Sequence, residues 1–180
     1  MLKIVSGKYR SRLIEVDDRV TVPTKNRVRE AMLSSLGGQI EGAIVLDLFA
    51  GSGALGIETL SRGAASCYFV EADPKAAKLI EKNLTVLKEQ NGIVLNKDYL
   101  DAIKGFDKQF DIVFLDPPYK DKEYYGLAID ALNKRNLLKD ESTLILEYEG
   151  ELDFDASSYQ DARYKHYGRT NVLTLRKKSF

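Results

Sequence analysis

Asp116-Pro117-Pro118-Tyr119 follows directly on the apolar run Ile112-Val113-Phe114-Leu115. The run reads as a buried strand, so a carboxylate, two rigid prolines and an aromatic ring fall where it ends. In open α/β sheets, ligands bind at that edge. Proline has no backbone donor and a fixed φ, so it leaves carbonyls pointing outward along a set direction. The product is a rigid cup with acceptors at its base and a ring as one wall. Such a cup suits a flat ring carrying an exocyclic NH2 group, which means a nucleobase. A plain proline turn with a surface tyrosine is the alternative. The placement at a strand end favours the site, and Asp116, Pro117, Pro118 and Tyr119 are the expected catalytic residues.

A second constellation lies upstream. Asp47-Leu48-Phe49-Ala50-Gly51-Ser52-Gly53-Ala54-Leu55-Gly56 joins an apolar strand to a helix and satisfies G-x-G-x-x-G. Glycines let a backbone turn tightly and approach a ligand. Glu71 closes the next strand, where an acid can hold two ribose hydroxyls. The fingerprint alone does not choose the ligand. A dinucleotide would set its pyrophosphate on the helix N-terminus. S-adenosylmethionine has no phosphate and needs room over the glycines and a carboxylate for its ribose. Asp47 can face a sulfonium charge, and Asp98, after the third strand, can accept from an adenine amine. A dehydrogenase would also need a proton-relay group and a second substrate surface, and neither is found. S-adenosylmethionine is therefore expected, with contacts from Asp47, Phe49, Ala50, Gly51, Ser52, Gly53, Glu71, Ala72, Asp98, Tyr99 and Asp116.

The elements that must carry these residues alternate from residue 43 onward. Strands are expected at 44–48, 67–70, 93–95, 112–115 and 143–146. Helices are expected at 54–62, 74–89 and 123–138, the second with Ala76, Leu79, Ile80, Leu84 and Leu87 on one face. Near-continuous apolar strands separated by helices imply a parallel sheet covered on both faces. The stretches 159–166 and 172–176, joined by Gly168-Arg169-Thr170-Asn171, read as an antiparallel hairpin. Before the sheet, short strands at 2–5 and 12–16 flank a turn at Ser6-Gly7-Lys8. A helix of about 14 residues opens at Pro23-Thr24, capped by Thr24 or Asn26, with Val28, Met32, Leu33 and Leu36 as its apolar stripe. The expected whole is an α/β fold of one domain: a 1–38 extension and a 39–180 core.

Bulk properties fit that outline. A chain of 180 residues with 44% hydrophobic content can bury a sizeable core. No apolar run is long enough to span a membrane, and the first residues lack a signal-peptide core. The single cysteine, Cys67, fits a reducing cytosol and reads as a buried, inert thiol. His166 has no companions for a metal site. Net charge is zero, but it is unevenly spread. Residues 1–29 carry eight Lys/Arg against three acids, and residues 163–180 carry six and no acid. Basic ends interleaved with Tyr9, Tyr164 and Tyr167 can grip a phosphate backbone. Lys8, Arg10, Arg12, Lys25, Arg27 and Arg29 are the expected RNA contacts, although Arg29 could equally pair with Glu30 or Glu58.

Taken together, the glycine loop, Ser61-Arg62-Gly63-Ala64 and Phe114-Leu115-Asp116-Pro117-Pro118-Tyr119 resemble the RsmD family of bacterial 16S ribosomal RNA guanine-N2 methyltransferases. The match reaches back to Gly7-Lys8-Tyr9-Arg10, Pro23-Thr24 and Arg27-Val28-Arg29-Glu30-Ala31-Met32, and covers about residues 4–150. The chain departs from the family pattern at Val22, where arginine is usual, and at Ser11, where glycine is usual. The resemblance implies a seven-stranded Rossmann-like methyltransferase sheet, mostly parallel with a C-terminal antiparallel hairpin. It implies S-adenosylmethionine over Gly51 and Gly53, its ribose on Glu71 and its adenine on Asp98, and an N-terminal extension that helps hold RNA. The expected partner is small-subunit ribosomal RNA, free or in subunits, acted on in the cytoplasm by a monomer. The same cup could serve adenine N6 or cytosine N4 on DNA or another RNA, or a protein glutamine. A nucleotide-binding oxidoreductase and a non-catalytic RNA-binding factor are the rivals from other classes.

Overall fold

A computed structural model describes residues 1–17, 23–117 and 122–179. The strands are β1 (Leu2–Lys3), β2 (Leu13–Ile14), β3 (Ile44–Asp47), β4 (Ser66–Val70), β5 (Gly92–Leu95), β6 (Phe110–Leu115), β7 (Leu138–Glu149), β8 (Tyr159–Tyr167) and β9 (Thr170–Lys177). The helices are α1 (Pro23–Leu36), α2 (Ala54–Ser61), α3 (Pro74–Leu87), α4 (Tyr99–Gly105) and α5 (Glu123–Lys134). Strands β3 to β9 form one seven-stranded sheet in the order β5-β4-β3-β6-β7-β9-β8. β3 to β7 run parallel, and the β8–β9 hairpin adds antiparallel through β9.

The parallel strands alternate between two apolar faces. Val45, Cys67, Phe69, Ile112, Phe114 and Ile145 pack with α1, α2 and α3. Leu46, Val70, Val113, Leu115, Leu144 and Leu146 pack with α4 and α5. Burial on both faces is why these strands read as continuous hydrophobic runs. Helix α3 starts where Asp73 accepts the Lys75 amide at 3.1 Å and Pro74 fills the first turn. It stops at Lys88, which adopts a left-handed φ of 57°. Its buried face is Ala77, Ile80, Asn83, Leu84 and Leu87. Ala76 and Leu79, expected on that face, are half-buried at its margin.

The N-terminal segment is more tightly held than two short strands suggest. β1 and β2 pair over only two residues each. Leu2, Ile4, Ile14 and Val16 are buried in the main core, and polar bonds to α2 and α3 add to that anchoring. The Val5 amide donates to Glu58 Oε1 (2.6 Å), the Lys8 amide to the Ser61 carbonyl (2.8 Å) and the Glu15 amide to Asn83 Oδ1 (2.9 Å). Asn26 lies within α1, not at its cap, and its side chain accepts from Arg29 at 3.1 Å. The α1 stripe of Val28, Met32, Leu33 and Leu36 is buried in the same core cluster as the sheet.

Candidate active site

The strand order turns back between β3 and β6: β4 and β5 extend to one side of β3, β6 and β7 to the other. Loops leaving β3 and β6 diverge there and open a crevice at the carboxyl edge. The crevice is a cleft of about 400 Å³, within the size range of small-molecule sites.

One wall is the loop from β3 to α2. Gly51 and Gly53 have φ of 57° and 80°, which other residues rarely adopt. A Cβ on Gly51 would meet nothing within 4 Å, so the loop presents bare backbone to the cleft. The loop is pinned from below by the Ala50 amide on the Val70 carbonyl (2.9 Å) and the Gly51 amide on Glu71 Oε1 (2.8 Å). Glu71 Oε2 accepts the Asp73 amide at 2.8 Å. Each carboxylate oxygen keeps a further lone pair for a ligand hydroxyl. Asp98 caps α4 through the Leu100 amide (3.0 Å) and stands at the rim. Phe49, Tyr99 and Tyr124 form a triangle of rings with centroids 5.1 to 5.8 Å apart, an apolar wall suited to a flat heterocycle.

The floor is acidic. Asp116 and Pro117 leave β6, and Glu147 sits near the end of β7. Burial, followed by the carboxylates of Glu147 and Asp47, holds the Asp116 carboxyl well above its usual range, while Lys25 opposes the shift. Glu147 is raised by burial and drawn back by its hydrogen bond with Asp116 and by Lys25. Both carboxyls are therefore raised, Asp116 the more strongly. Asp47 lies behind the loop, 4% exposed, and accepts the Gly56 amide. Its carboxyl is pushed up to about 7, by burial first, and its Oδ2 has no hydrogen-bond partner. From α1, Lys25 and Arg29 reach the same cleft.

Most of the residues expected at the cofactor line this cleft: Phe49, Ala50, Gly51, Ser52, Glu71, Ala72, Asp98, Tyr99 and Asp116. Asp47 and Gly53 do not. Gly53 points its missing Cβ at Ile80, 3.0 Å away, and serves as the N-cap of α2. Pro118 and Tyr119 lie outside the described residues, as do Arg19 and Val22. Among the expected RNA contacts, Arg10, Arg12 and Arg27 are exposed. Arg12 donates to the Val86 carbonyl at 3.3 Å. Lys8 pairs with Glu89 at 2.8 Å, and the Tyr9 hydroxyl donates to the same acid. Arg29 is 7% exposed, with its charge directed at Glu58, Glu30 and Glu147. Of the two roles open to Arg29, burial selects the inward one. Sequence reasoning missed Glu147 and Tyr124. The signal for Glu147 was an acid inside Leu144-Ile145-Leu146-Glu147-Tyr148, a run otherwise buried.

A family model described as conserved hypothetical protein 95 matches residues 2–176. Ribosomal RNA small subunit methyltransferase D of Escherichia coli is 36% identical over 151 residues, spanning 83% of this chain and 76% of that protein. YlbH of Bacillus subtilis is 32% identical over 184 residues, spanning 98% of this chain and all of its own (100%). The solved structure of Escherichia coli yhhF matches with a TM-score of 0.89 at 32% identity, covering 99% of each chain. The matched span takes in the cleft walls and the N-terminal segment alike.

Proposed function

This chain belongs to the RsmD family of S-adenosylmethionine-dependent small-subunit ribosomal RNA methyltransferases, and we propose that it methylates the exocyclic N2 of one guanine in that RNA. The observation that carries the reading is a single cleft that joins bare backbone at Gly51 and the Glu71 carboxylate to the Asp116–Pro117 strand end. The substrate we favour is the RNA within assembled or partly assembled subunits, in the cytoplasm. A small domain has little surface for recognition, and bound ribosomal proteins can add to it. The described lining of the cleft comes from one chain, which supports a monomer.

The residues present fit the cofactor. Glu71 has lone pairs for its ribose hydroxyls, the Phe49–Tyr99–Tyr124 wall and Asp98 suit its adenine, and Gly51 leaves space for its aliphatic part. When bound, S-adenosylmethionine supplies a methyl group already activated by its sulfonium charge. What remains for the protein is alignment. The guanine N2 lone pair is delocalised into the ring. Asp116 and the Pro117 carbonyl accept its two N–H bonds, which favours a pyramidal nitrogen and stabilises the positive charge that develops there. Tyr119, two residues further along, stacks on the base and fixes its plane. Base–aromatic stacking is worth roughly 1–3 kcal/mol. The base reaches the cleft from a loop or by leaving its stack.

RNA backbone is held by exposed cations on both basic ends. Arg10 and Arg27 lie on the N-terminal side. Arg163 and Lys165 line a groove between α1 and the β8–β9 hairpin, and Met32 lines both that groove and the cleft.

The experiment is transfer of a labelled methyl group from S-adenosylmethionine to unmodified small subunits, to their naked RNA and to DNA, with nucleoside analysis of the product. N2-methylguanosine on subunits or ribosomal RNA is the expected result. Methylated adenine or cytosine would overturn the substrate and keep the chemistry. No transfer to any nucleic acid, with cofactor still bound, would overturn the activity.

A further inference from the structure

β6 and β7 run parallel with Leu115 opposite Leu146. The next residue on each strand is an acid, so Asp116 and Glu147 emerge side by side at the carboxyl edge. Their side chains are hydrogen-bonded to each other. Glu147 is 9% exposed yet lines the cleft. Its backbone is fixed as well, since the Tyr125 hydroxyl of α5 donates to its carbonyl. A buried acid at this position is costly to a strand that packs apolar residues on both sides. The acid also faces the buried Arg29 of α1, which Glu58 and Glu30 serve as well.

We propose that Glu147 is a positioning residue for the methyl-transfer reaction: it takes the proton of Asp116, so that Asp116 meets the substrate amine as a carboxylate. The inference rests on the activity proposed above. In the resting pair one proton sits on Asp116 and is donated to the Glu147 carboxylate. When the base enters, that proton crosses the hydrogen bond to Glu147. Asp116, now ionised, accepts an N–H bond of the amine. Once the nitrogen carries the methyl group it is cationic. Its N–H bond then breaks, the electron pair stays on nitrogen, and the proton passes to Asp116. The pair now holds two protons, and one leaves to water with the product.

The surrounding charges suit this exchange. Lys25 and Arg29 of α1 bear on Glu147, with Lys25 also bearing on Asp116. Asp47 of β3 and Glu149 of β7 oppose them. Burial, followed by the two neighbouring acids, raises the Asp116 carboxyl when no base is present. A lone Asp116 would stay buried, with no neighbouring acid to take its proton.

The test compares pH–rate profiles of kcat/KM for RNA at saturating cofactor in wild type, Glu147→Gln and Glu147→Asp. Glu147→Gln leaves the buried Asp116 with no acid to take its proton, so the acidic limb should move to higher pH by at least about one unit. Its plateau kcat should change little, because Asp116 is ionised there and itself takes the proton of the methylated amine. Glu147→Asp should return the limb towards the wild-type position. A purely structural role would lower activity and leave the limb in place, and that outcome would overturn the proposal. Should Glu147→Gln not fold, carboxyl 13C titration of the wild type decides instead. Two coupled transitions shared by Asp116 and Glu147 are expected, and two independent ordinary titrations would reject the pair. If the wild type methylates no RNA, the proposed activity fails. If it does and the limb is unmoved, only the role of Glu147 fails.

Discussion

Glu71 Oε1 accepts the Gly51 amide at 2.8 Å, so the acid that faces the cleft also sets the conformation of the loop opposite it. Its second oxygen holds the Asp73 amide, which starts α3. One side chain thus ties two walls of the site together. Glu71→Ala should raise the dissociation constant for S-adenosylmethionine at least about tenfold, or ~1.4 kcal/mol, since it removes a charged acceptor and frees the loop. Titration calorimetry reads this directly. An unchanged constant would mean that the ribose is held elsewhere.

Gly56 tests the packing beneath the same loop. A Cβ there would lie 2.3 Å from Phe69 Cε1 and 2.7 Å from Cys67 Sγ. Both partners are fully buried on β4 and have no room to yield. The third glycine of the fingerprint therefore serves helix–strand contact, while Gly51 serves the ligand. Gly56→Ala should cost about 1–3 kcal/mol in denaturant unfolding, the range expected for an overpacked core. Cofactor affinity should change little once the protein is folded.

The sheet was readable because its strands are buried on both faces, which removes the ambiguity of a half-exposed strand. The site's place at the carboxyl edge followed from the alternation, whereas the strand order and its switch point did not. Helix α4 was not readable. Tyr99–Gly105 spans fewer than two full turns beyond its cap, too short for a periodic stripe to show. β7 was expected at 143–146 but runs from Leu138 to Glu149. Its first part carries Lys139, Asp140 and Glu141 and looks like a loop, and Glu141 takes a left-handed φ of 65° where the pairing with β6 shifts register. Asp116 could be singled out because prolines mark it. Glu147 stood out only as an acid in an apolar run, and its pairing with Asp116 shows only in the register of β6 against β7. Arg29 was ambiguous from sequence for a similar reason. Whether a helical arginine faces out or in depends on how α1 seats against α2.

The N-terminal segment docks at one close approach and carries one strained residue. Gly7 has a φ of 85°, and a Cβ there would sit 1.9 Å from the Ser61 carbonyl oxygen. Gly7→Ala should therefore detach the turn from α2. Ser11, where the family usually has glycine, holds a φ of 69°. A left-handed conformation costs a non-glycine residue roughly 1 kcal/mol, partly offset by the greater freedom glycine has when unfolded. Ser11→Gly should thus be neutral to stabilising, by up to about 1 kcal/mol. Hydrogen exchange of the amides at 4–12 should report both effects. Faster exchange is expected for Gly7→Ala and equal or slower exchange for Ser11→Gly. Faster exchange in Ser11→Gly would show that its side chain holds the turn.

Salt should separate the RNA contacts from the structural cations. Arg163 and Lys165 make no ion pair among the described residues, whereas Lys8 is bound to Glu89. Arg163→Ala with Lys165→Ala should flatten the dependence of log K on log salt by about 1.4 for single-stranded RNA, at roughly 0.7 per phosphate contact. Lys8→Ala should move that slope less and lower stability more. Filter binding over a range of salt concentrations distinguishes the two. An unaltered slope in the hairpin double variant would remove the hairpin from the RNA path.

Asp47 gives the fold a pH dependence of unusual sign for an acid. Its carboxyl is pushed up to about 7 by burial, aided by Glu71 and opposed by the Gly56 amide. An unfolded aspartate titrates near ~3.9. Below that value both states hold the proton and Asp47 contributes no difference. Between about 4 and about 7 the unfolded chain has released its proton and the folded chain has not. The folded state then binds more protons, so stability falls as pH rises. Above about 7 both states are ionised and the penalty is complete. Asp47→Asn cannot ionise and still offers an acceptor to Gly56. The variant should therefore gain on the wild type as pH rises, by up to about 1.4 kcal/mol per pH unit, and level off beyond about pH 7. Urea unfolding of both proteins from about pH 5 to about pH 8 measures the gap. A gap that stays constant over that range would show that Asp47 titrates as an ordinary surface acid and that its pocket admits water.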